Sequence, residues 1–182
     1  MKNAAESLAW VEQNYPGIFE LLDELVTSES WFDMFRQLSD NYSPTLTVSR
    51  VQGPLVERLM SEGMGKANTV RVERNVRGSG CIGVTLGEEP AAVWLSAHAD
   101  ICSYLTMPHN GRGYTVVPFC SHGARPGRRA AVALDMPHGD GPLAHLAEGE
   151  MVTGEDGSIL FECDRTDLPT WTRVVHHLPA RW

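Results

Sequence analysis

The fold prediction rests on residues 91–100, which read AAVWLSAHAD. The run AAVWLSA holds only apolar and small residues, and such a run is typical of a central strand that is buried on both faces of a sheet. His98 and Asp100 follow directly at its end. Positions two apart on a strand point to the same side, and open α/β sheets bind ligands at the carboxyl ends of their strands. The stretch therefore predicts a functional site at the end of a buried strand.

The candidate functional residues at this strand end are His98 and Asp100. A histidine that binds a metal ion needs its second ring nitrogen held by an acceptor, which is often a carboxylate. The pair could therefore supply a metal ligand and its neighbouring carboxylate. A plainer interpretation is that both side chains hydrogen-bond to nearby backbone, because buried polar groups without partners cost several kcal/mol.

The chain on either side of this stretch changes its periodicity. Apolar residues recur at helical spacing in residues 8–38 and 54–60, which predicts helices there. Around Val70 and Val72 apolar and polar residues alternate, as expected of a strand with one solvent-exposed face. After residue 108 short apolar segments alternate with glycine, proline and aspartate turns. That texture predicts a small β-barrel or sandwich after a region of helices and mixed sheet.

Composition excludes several classes of protein. The 182 residues are 42% hydrophobic and 21% charged, which suits a folded domain. A net charge of −8 argues against nucleic-acid binding, which needs a basic surface. No apolar stretch reaches the ~20 residues that span a bilayer, and Glu6 and Glu12 interrupt the region where a signal peptide would be apolar. The four cysteines include no C-x-x-C pair, so we expect reduced thiols in a cytoplasmic protein.

Three motifs follow one another in order between residues 68 and 134. They are SAHAD at 96–100, the glycine–tyrosine–proline strand from Gly113 to Pro118, and the element Pro126-Gly127-Arg128-Arg129. In order and spacing this region resembles the glutamyl-aminopeptidase and tetrahedral-aminopeptidase family, once described as cellulases or endoglucanases. The corresponding family elements are A-H-M-D, a glycine–aromatic–proline strand and P-G-x-R.

The resemblance implies an α/β fold: an incomplete zinc-peptidase-like, three-layer α/β/α catalytic domain with an inserted small β-barrel domain. Residues 1–107 would be the N-terminal part of the catalytic domain, residues 108–168 the inserted barrel, and residues 169–182 the return segment toward the catalytic domain. The sequence departs from the family pattern at Ile101, where an acidic residue is usual, and at Ser103, where a glycine is usual.

The resemblance also implies a metal-dependent aminopeptidase that releases N-terminal residues from peptides. The cofactor would be a divalent metal, zinc or cobalt. His98 would be a metal ligand, and Asp100 would be the catalytic-site carboxylate that orients it. In the family the remaining ligands and the general base lie beyond the inserted barrel. A catalytic zinc site needs about three protein ligands, so the site would be incomplete in these 182 residues and the chain alone inactive.

Several alternatives stay open for this incomplete site. A continuation of the chain could complete it, a second chain could complete it, or the site could be vestigial. The alternative function is a non-catalytic assembly or binding subunit built on the same fold. The expected partners are peptide substrates and either further copies of the chain or a second chain that completes the fold, with no nucleic acid and no membrane.

The remaining candidates are weaker. His176 and His177 are adjacent, so on a strand they would face opposite sides and at most one would join His98. Histidines also occur in segments that resemble loops, at His109, His122, His138 and His145. A small basic cluster could meet a substrate carboxylate or simply form a solvated barrel edge; it consists of Arg125, Arg128 and Arg129.

Overall fold

The computed structural model describes five stretches of the chain: residues 3–64, 70–87, 95–119, 126–136 and 139–177. They belong to two compact units, residues 1–39 and residues 40–182. The first unit is helical, and the second unit holds every described strand.

Three helices form the first unit: α1 (Ala4–Asn14), α2 (Ile18–Leu25) and α3 (Ser28–Asp40), the last of which ends one residue beyond it. A capping box fixes the start of α1, because the Asn3 side chain accepts the Glu6 N–H and the Glu6 carboxylate accepts the Asn3 N–H. At the start of α3 the Thr27 hydroxyl accepts the Ser30 N–H. None of the side chains described in residues 3–39 is buried, so local hydrogen bonds rather than a core define these helices.

The second unit begins with two helices and a hairpin: α4 (Val48–Val51), α5 (Gly53–Met64), β1 (Val70–Arg74) and β2 (Ile82–Leu86). A single 3₁₀ turn, Val76–Gly78, connects the two antiparallel strands. Arg74 connects β1 to α5 through an ion pair with Glu57 at 3.0 Å, and its guanidinium also bonds Asp140 at 2.6 Å.

Six antiparallel strands then close into a barrel in the spatial order β3-β4-β7-β6-β5-β8. They are β3 (Tyr104–His109), β4 (Tyr114–Pro118), β5 (Gly127–Leu134), β6 (His145–Thr153), β7 (Ile159–Cys163) and β8 (Arg173–His176). Strand β8 pairs with both β3 and β5, so this four-residue strand closes the barrel.

The barrel interior is an apolar core that includes two tyrosine rings. Its members are Tyr104, Tyr114, Val116, Ala131, Ala133, Met151, Ile159, Phe161, Leu168 and Val174. The Tyr114 hydroxyl accepts the backbone N–H of Leu168 at 2.8 Å. This bond satisfies a polar atom that would otherwise be costly to bury.

A second apolar cluster covers the outer wall of the barrel beside β5 and β8. It contains Val51, Val132, Leu134, Leu143 and Val175, with Tyr42, Ile101 and Met136 packed against it. Successive residues of a strand point to opposite faces, so β5 contributes Ala131 and Ala133 to the interior and Val132 and Leu134 to this outer cluster.

The predicted three-layer α/β/α fold is wrong. Such a fold needs parallel strands joined by crossover helices, whereas every ladder between described strands is antiparallel. In the described chain after Gly78 there is no helix. The barrel is the main body of the second unit. The predicted domain boundaries at 107/108 and 168/169 stay a prediction.

The strand predicted over residues 91–97 also requires correction. Residues 91–94 lie outside the described residues, and residues 95–100 form no strand. Leu95 is 94% exposed, which is incompatible with a strand buried on both faces. The only pairing nearby in the described chain is an isolated parallel bridge between Pro44 and Ile101.

Candidate functional site

Asp100 is anchored by the segment that precedes α4. The Thr45 hydroxyl donates to Oδ2 of Asp100 at 2.5 Å. The next residue, Ile101, donates its N–H to the carbonyl oxygen of Ser43 at 2.9 Å and forms the bridge with Pro44. Asp100 is therefore held in place by backbone pairing and by a side-chain hydrogen bond, although it does not lie on a regular strand.

The His98 side chain lies beside the Asp100 carboxylate and is exposed to solvent. Its Nδ1 lies 3.4 Å from Oδ1 of Asp100 and 3.2 Å from the Asp100 carbonyl oxygen. The His98 side chain is 87% exposed, whereas that of Asp100 is 23% exposed. Among the described residues nothing hydrogen-bonds to Nε2 of His98. One ring nitrogen is therefore held by oxygen while the other faces outward, which is the relation seen in carboxylate–histidine–metal groups.

The donors brought together here are too few for a complete metal site. Within the described stretches no group of three or more His, Cys, Asp or Glu side chains is arranged to hold a metal ion. A catalytic zinc site needs about three protein ligands and an open position. His98 and Asp100 fit one corner of a zinc or cobalt site, as one ligand and its orienting carboxylate, and no more. Their roles as metal ligand and catalytic carboxylate stay predictions.

His176 and His177 lie on opposite sides of the barrel wall. The His176 ring meets Tyr104 of the interior cluster edge-on at 5.7 Å between centroids, and its Nδ1 is buried without a hydrogen-bond partner in the described structure. Burial lowers the pKa of His176, with a smaller contribution from the positive charge of Arg129. His177 lies on the outer side against Tyr42. In the part of the chain that is described, neither imidazole contacts His98.

A cluster that the sequence did not reveal surrounds His177. The Tyr42 hydroxyl lies 2.5 Å from Nδ1 of His177. The Tyr42 ring also lies 5.6 Å from the His145 ring, and the two imidazoles are 6.2 Å apart between centroids. Nδ1 of His145 is 3.3 Å from a carboxylate oxygen of Glu148. Tyr42 and His177 are separated by 135 positions, so no local pattern could have connected them.

The basic cluster predicted at Arg125, Arg128 and Arg129 is partly described. Arg125 lies outside the described residues. The Arg128 guanidinium bonds Glu150 at 2.5 Å and Glu162 at 2.9 Å, and these hydrogen bonds raise its pKa. The charge of Arg128 is thus already matched by carboxylates of β6 and β7, which makes it a poor receptor for a substrate carboxylate.

The same carboxylates border a shallow depression on the barrel surface. Its volume is about 540 Å³, and its walls include Arg112, Glu148, Glu150, Glu162, Cys163 and Asp164. Burial raises the pKa of the Cys163 thiol, which disfavours the reactive thiolate. The depression therefore offers acidic groups without an activated nucleophile.

Comparison of the chain with protein-family models, with curated proteins and with solved structures finds no match. The resemblance to the aminopeptidase family therefore stays a prediction from the sequence. No helix in the described stretches combines the length and the apolar character needed to cross a bilayer.

Proposed function

We propose that this chain is one part of a metal-dependent aminopeptidase in which His98 supplies one ligand of a divalent ion, zinc or cobalt. The supporting observation is the His98–Asp100–Thr45 arrangement: an anchored carboxylate beside Nδ1 and an outward-facing Nε2. The peptide substrate would meet the ion only after further ligands join His98. A continuation of the chain, or a second chain, would supply them.

Each of the three side chains has its own task in this proposal. The backbone carbonyl oxygen of Asp100 accepts the N–H on Nδ1 of His98, and the Asp100 carboxylate lies beside the same nitrogen, so the lone pair needed for metal binding stays on Nε2. Thr45 donates to the other oxygen of Asp100 and fixes the rotamer of the carboxylate. Polarising a peptide carbonyl and activating water belong to the completed site. A cytoplasmic location is part of the proposal, supported by the free thiols of Cys81 and Cys163.

Replacing Asp100 by asparagine is expected to weaken zinc binding at His98 roughly 10- to 100-fold, because the amide cannot orient the imidazole as a carboxylate does. The measurement is a Zn²⁺ titration of the protein followed through the ¹⁵N resonances of the histidine rings. Nε2 of His98 should shift on binding with the proton on Nδ1. Thr45→Val should weaken binding in the same direction, whereas His109→Ala on β3 is the matched control and should leave the His98 response unchanged.

Two results would contradict the aminopeptidase proposal. One is a wild-type His98 resonance that does not shift during the Zn²⁺ titration, even with zinc in excess over protein. The other is a zinc-loaded full-length product that releases no amino acid from aminoacyl-nitroanilides while His98→Ala leaves its metal content unchanged.

A second candidate function, a non-catalytic assembly subunit, is favoured by an uncovered apolar face on the β1–β2 hairpin. Val70 pairs with Leu86 and Val72 pairs with Val84, so these four side chains share one face of the hairpin. Val84 and Leu86 are exposed, at 41% and 59%. Apolar patches on soluble proteins mark sites of protein association, and a second copy of the chain is the occupant that we propose.

The assembly proposal predicts that the protein has the mass of at least two copies in size-exclusion chromatography with light scattering. Leu86→Glu should shift it toward the monomer, because a buried unpaired charge in the interface is costly. Val117→Ser, on barrel strand β4, removes a similarly exposed apolar side chain and should leave the mass unchanged. A wild-type protein that remains monomeric across the concentration range would refute the assembly proposal.

A further inference from the structure

Three aromatic rings from distant parts of the chain meet on the outer wall of the barrel. Tyr42 precedes α4, His145 is the first residue of β6, and His177 directly follows β8. The ring centroids lie 5.6 Å apart for Tyr42 and His145, 5.9 Å for Tyr42 and His177, and 6.2 Å for the two histidines. All three belong to the unit of residues 40–182, and their rings form a closed triangle.

We propose that His145 and His177 form a two-imidazole site for a divalent transition-metal ion such as zinc or copper. This site is distinct from His98 and does not depend on the aminopeptidase proposal. Imidazole is a ligand of zinc, copper and nickel alike, and copper has the highest affinity of the divalent first-row ions. With two protein ligands, the remaining coordination positions are open to water or to a ligand from another molecule.

The separation of the two imidazoles fits a shared ion. A zinc–nitrogen bond is about 2.0 Å long, so two imidazoles on one ion have ring centroids roughly 5–6.5 Å apart, depending on the angle at the metal. The observed separation of 6.2 Å lies within that range. The centroid separation is therefore compatible with both imidazoles binding one ion.

Each imidazole already has the oxygen partner that a metal-bound histidine needs. Nδ1 of His177 lies beside the Tyr42 hydroxyl, and Nδ1 of His145 lies 3.3 Å from the carboxylate of Glu148. Neither Nε2 has a hydrogen-bond partner within the described residues. With the proton on Nδ1, each ring donates to its oxygen partner and keeps the Nε2 lone pair for the ion.

The charge around the site, the backbone hydrogen bond of His177 and the exposure of His145 also favour a metal site. The carboxylates of Asp40 and Glu148 lie near Tyr42 and supply negative potential for a cation. The backbone N–H of His177 donates to the carbonyl oxygen of Ala130 at 2.8 Å. The His145 side chain is about one third exposed, so an ion can reach the site from solvent.

The experiment measures Zn²⁺ binding to the full chain by isothermal titration calorimetry and Cu²⁺ coordination by electron paramagnetic resonance. The expected result is saturable binding of an ion whose Cu²⁺ spectrum shows hyperfine coupling to two imidazole nitrogens. His145→Ala and His177→Ala should each abolish this binding. Tyr42→Phe and Glu148→Gln should weaken it roughly tenfold by removing the partner of Nδ1.

Two control variants separate this site from other histidines. His109→Ala removes an imidazole that also stacks on a tyrosine, Tyr114, at 5.0 Å, but that has no neighbouring imidazole among the described side chains. His98→Ala removes the ligand of the aminopeptidase proposal. Both variants should retain the two-nitrogen copper spectrum, whatever happens to metal binding at His98.

Three outcomes would overturn the two-histidine site: no saturable binding in the wild type, unchanged binding in both His145→Ala and His177→Ala, or loss of binding only in His98→Ala. The last outcome would instead support the aminopeptidase proposal. Circular dichroism checks the fold of each variant. If an alanine variant unfolds, His145→Gln and His177→Gln replace it, since glutamine retains hydrogen bonding but does not replace imidazole as a ligand.

Discussion

Gly149→Ala is expected to destabilise the barrel by about 3 kcal/mol or more, because the new methyl group has no room. Gly149 lies in the middle of β6 and pairs with Cys163 of β7. A Cβ atom at this position would clash with the carbonyl oxygen of Glu162 and lie 2.9 Å from Cβ of Cys163. The obstacle is backbone, which can move only if β6 and β7 separate.

Whether Gly149→Ala lowers or raises the stability of the protein tests how closely β6 and β7 approach each other. In a strand interior without such an obstacle, alanine is more favourable than glycine by roughly 0.5–1 kcal/mol, because glycine loses more backbone freedom on folding. Gly149→Ala should therefore stabilise the protein if the two strands are farther apart than observed. Folded domains have only about 5–15 kcal/mol of stability, so the expected loss is a large part of the total.

Urea denaturation followed by circular dichroism measures the change, with Gly157→Ala as the matched control. Gly157 lies in the turn between β6 and β7 with φ of +80°, and a methyl group added there would meet no atom within 4 Å. Alanine at this position costs only the left-handed conformation, roughly 1–2 kcal/mol. If Gly149→Ala proves no more destabilising than Gly157→Ala, the close approach of β6 and β7 is wrong.

Phe161→Ala is the second substitution with a large expected effect, at about 3–5 kcal/mol of lost stability. The Phe161 side chain is fully buried in the barrel interior. Its backbone pairs with Tyr114 of β4 and Met151 of β6. Removing the ring leaves a cavity inside the barrel. Because the barrel is closed, its strands cannot move together to fill this cavity, and neighbouring side chains can fill it only in part.

The control for Phe161 is a phenylalanine outside the core. Phe119 is partly exposed and lies under the Arg173 guanidinium, 3.6 Å from its ring centroid. Phe119→Ala removes this cation–π contact and should cost about 1 kcal/mol. Thermal or urea unfolding of both variants provides the comparison, and Phe161→Leu should lie between Phe161→Ala and the wild type. Equal losses for Phe161→Ala and Phe119→Ala would show that the barrel interior is packed differently.

Local sequence patterns predicted several helices and turns. The helical spacing of residues 8–38 corresponds to α1, α2 and α3, and that of residues 54–60 lies within α5. The turn at Asn110-Gly111 separates β3 from β4. Such signals are readable because turn geometry depends on a few adjacent residues.

The error in fold class has a physical explanation in β5. A continuous apolar run indicates a strand that is buried on both faces, and that rule describes Ala131–Leu134, whose side chains fill the two apolar clusters. The rule fails for AAVWLSA, since Leu95 to Ala97 are exposed and form no strand. Apolar residues favour a strand, but only a partner strand on each side makes it central, and partners are set by long-range topology.

Contacts between residues far apart in the sequence also could not be predicted at the candidate sites. His98 and Asp100 are two positions apart, so the sequence could place them together, and they are in contact. The hydroxyl that anchors Asp100 comes from Thr45, 55 positions earlier. Nothing in residues 41–45, which read NYSPT, indicates that contact, and nothing in the sequence links Tyr42 to His145 and His177. Contacts of this kind depend on long-range packing that no local pattern encodes.

The closing strand β8 has a consequence for the order in which the chain acquires structure. Tyr104 of β3 pairs with Val174 of β8, 70 positions later along the chain. A nascent chain on the ribosome can therefore form its N-terminal helices and the β1–β2 hairpin early, whereas the barrel must wait for residues 173–176 to emerge. Until then β3 and β5 present unpaired edges, which are templates for aggregation. Barrel formation is thus a late step dominated by non-local pairing, and such steps are slow.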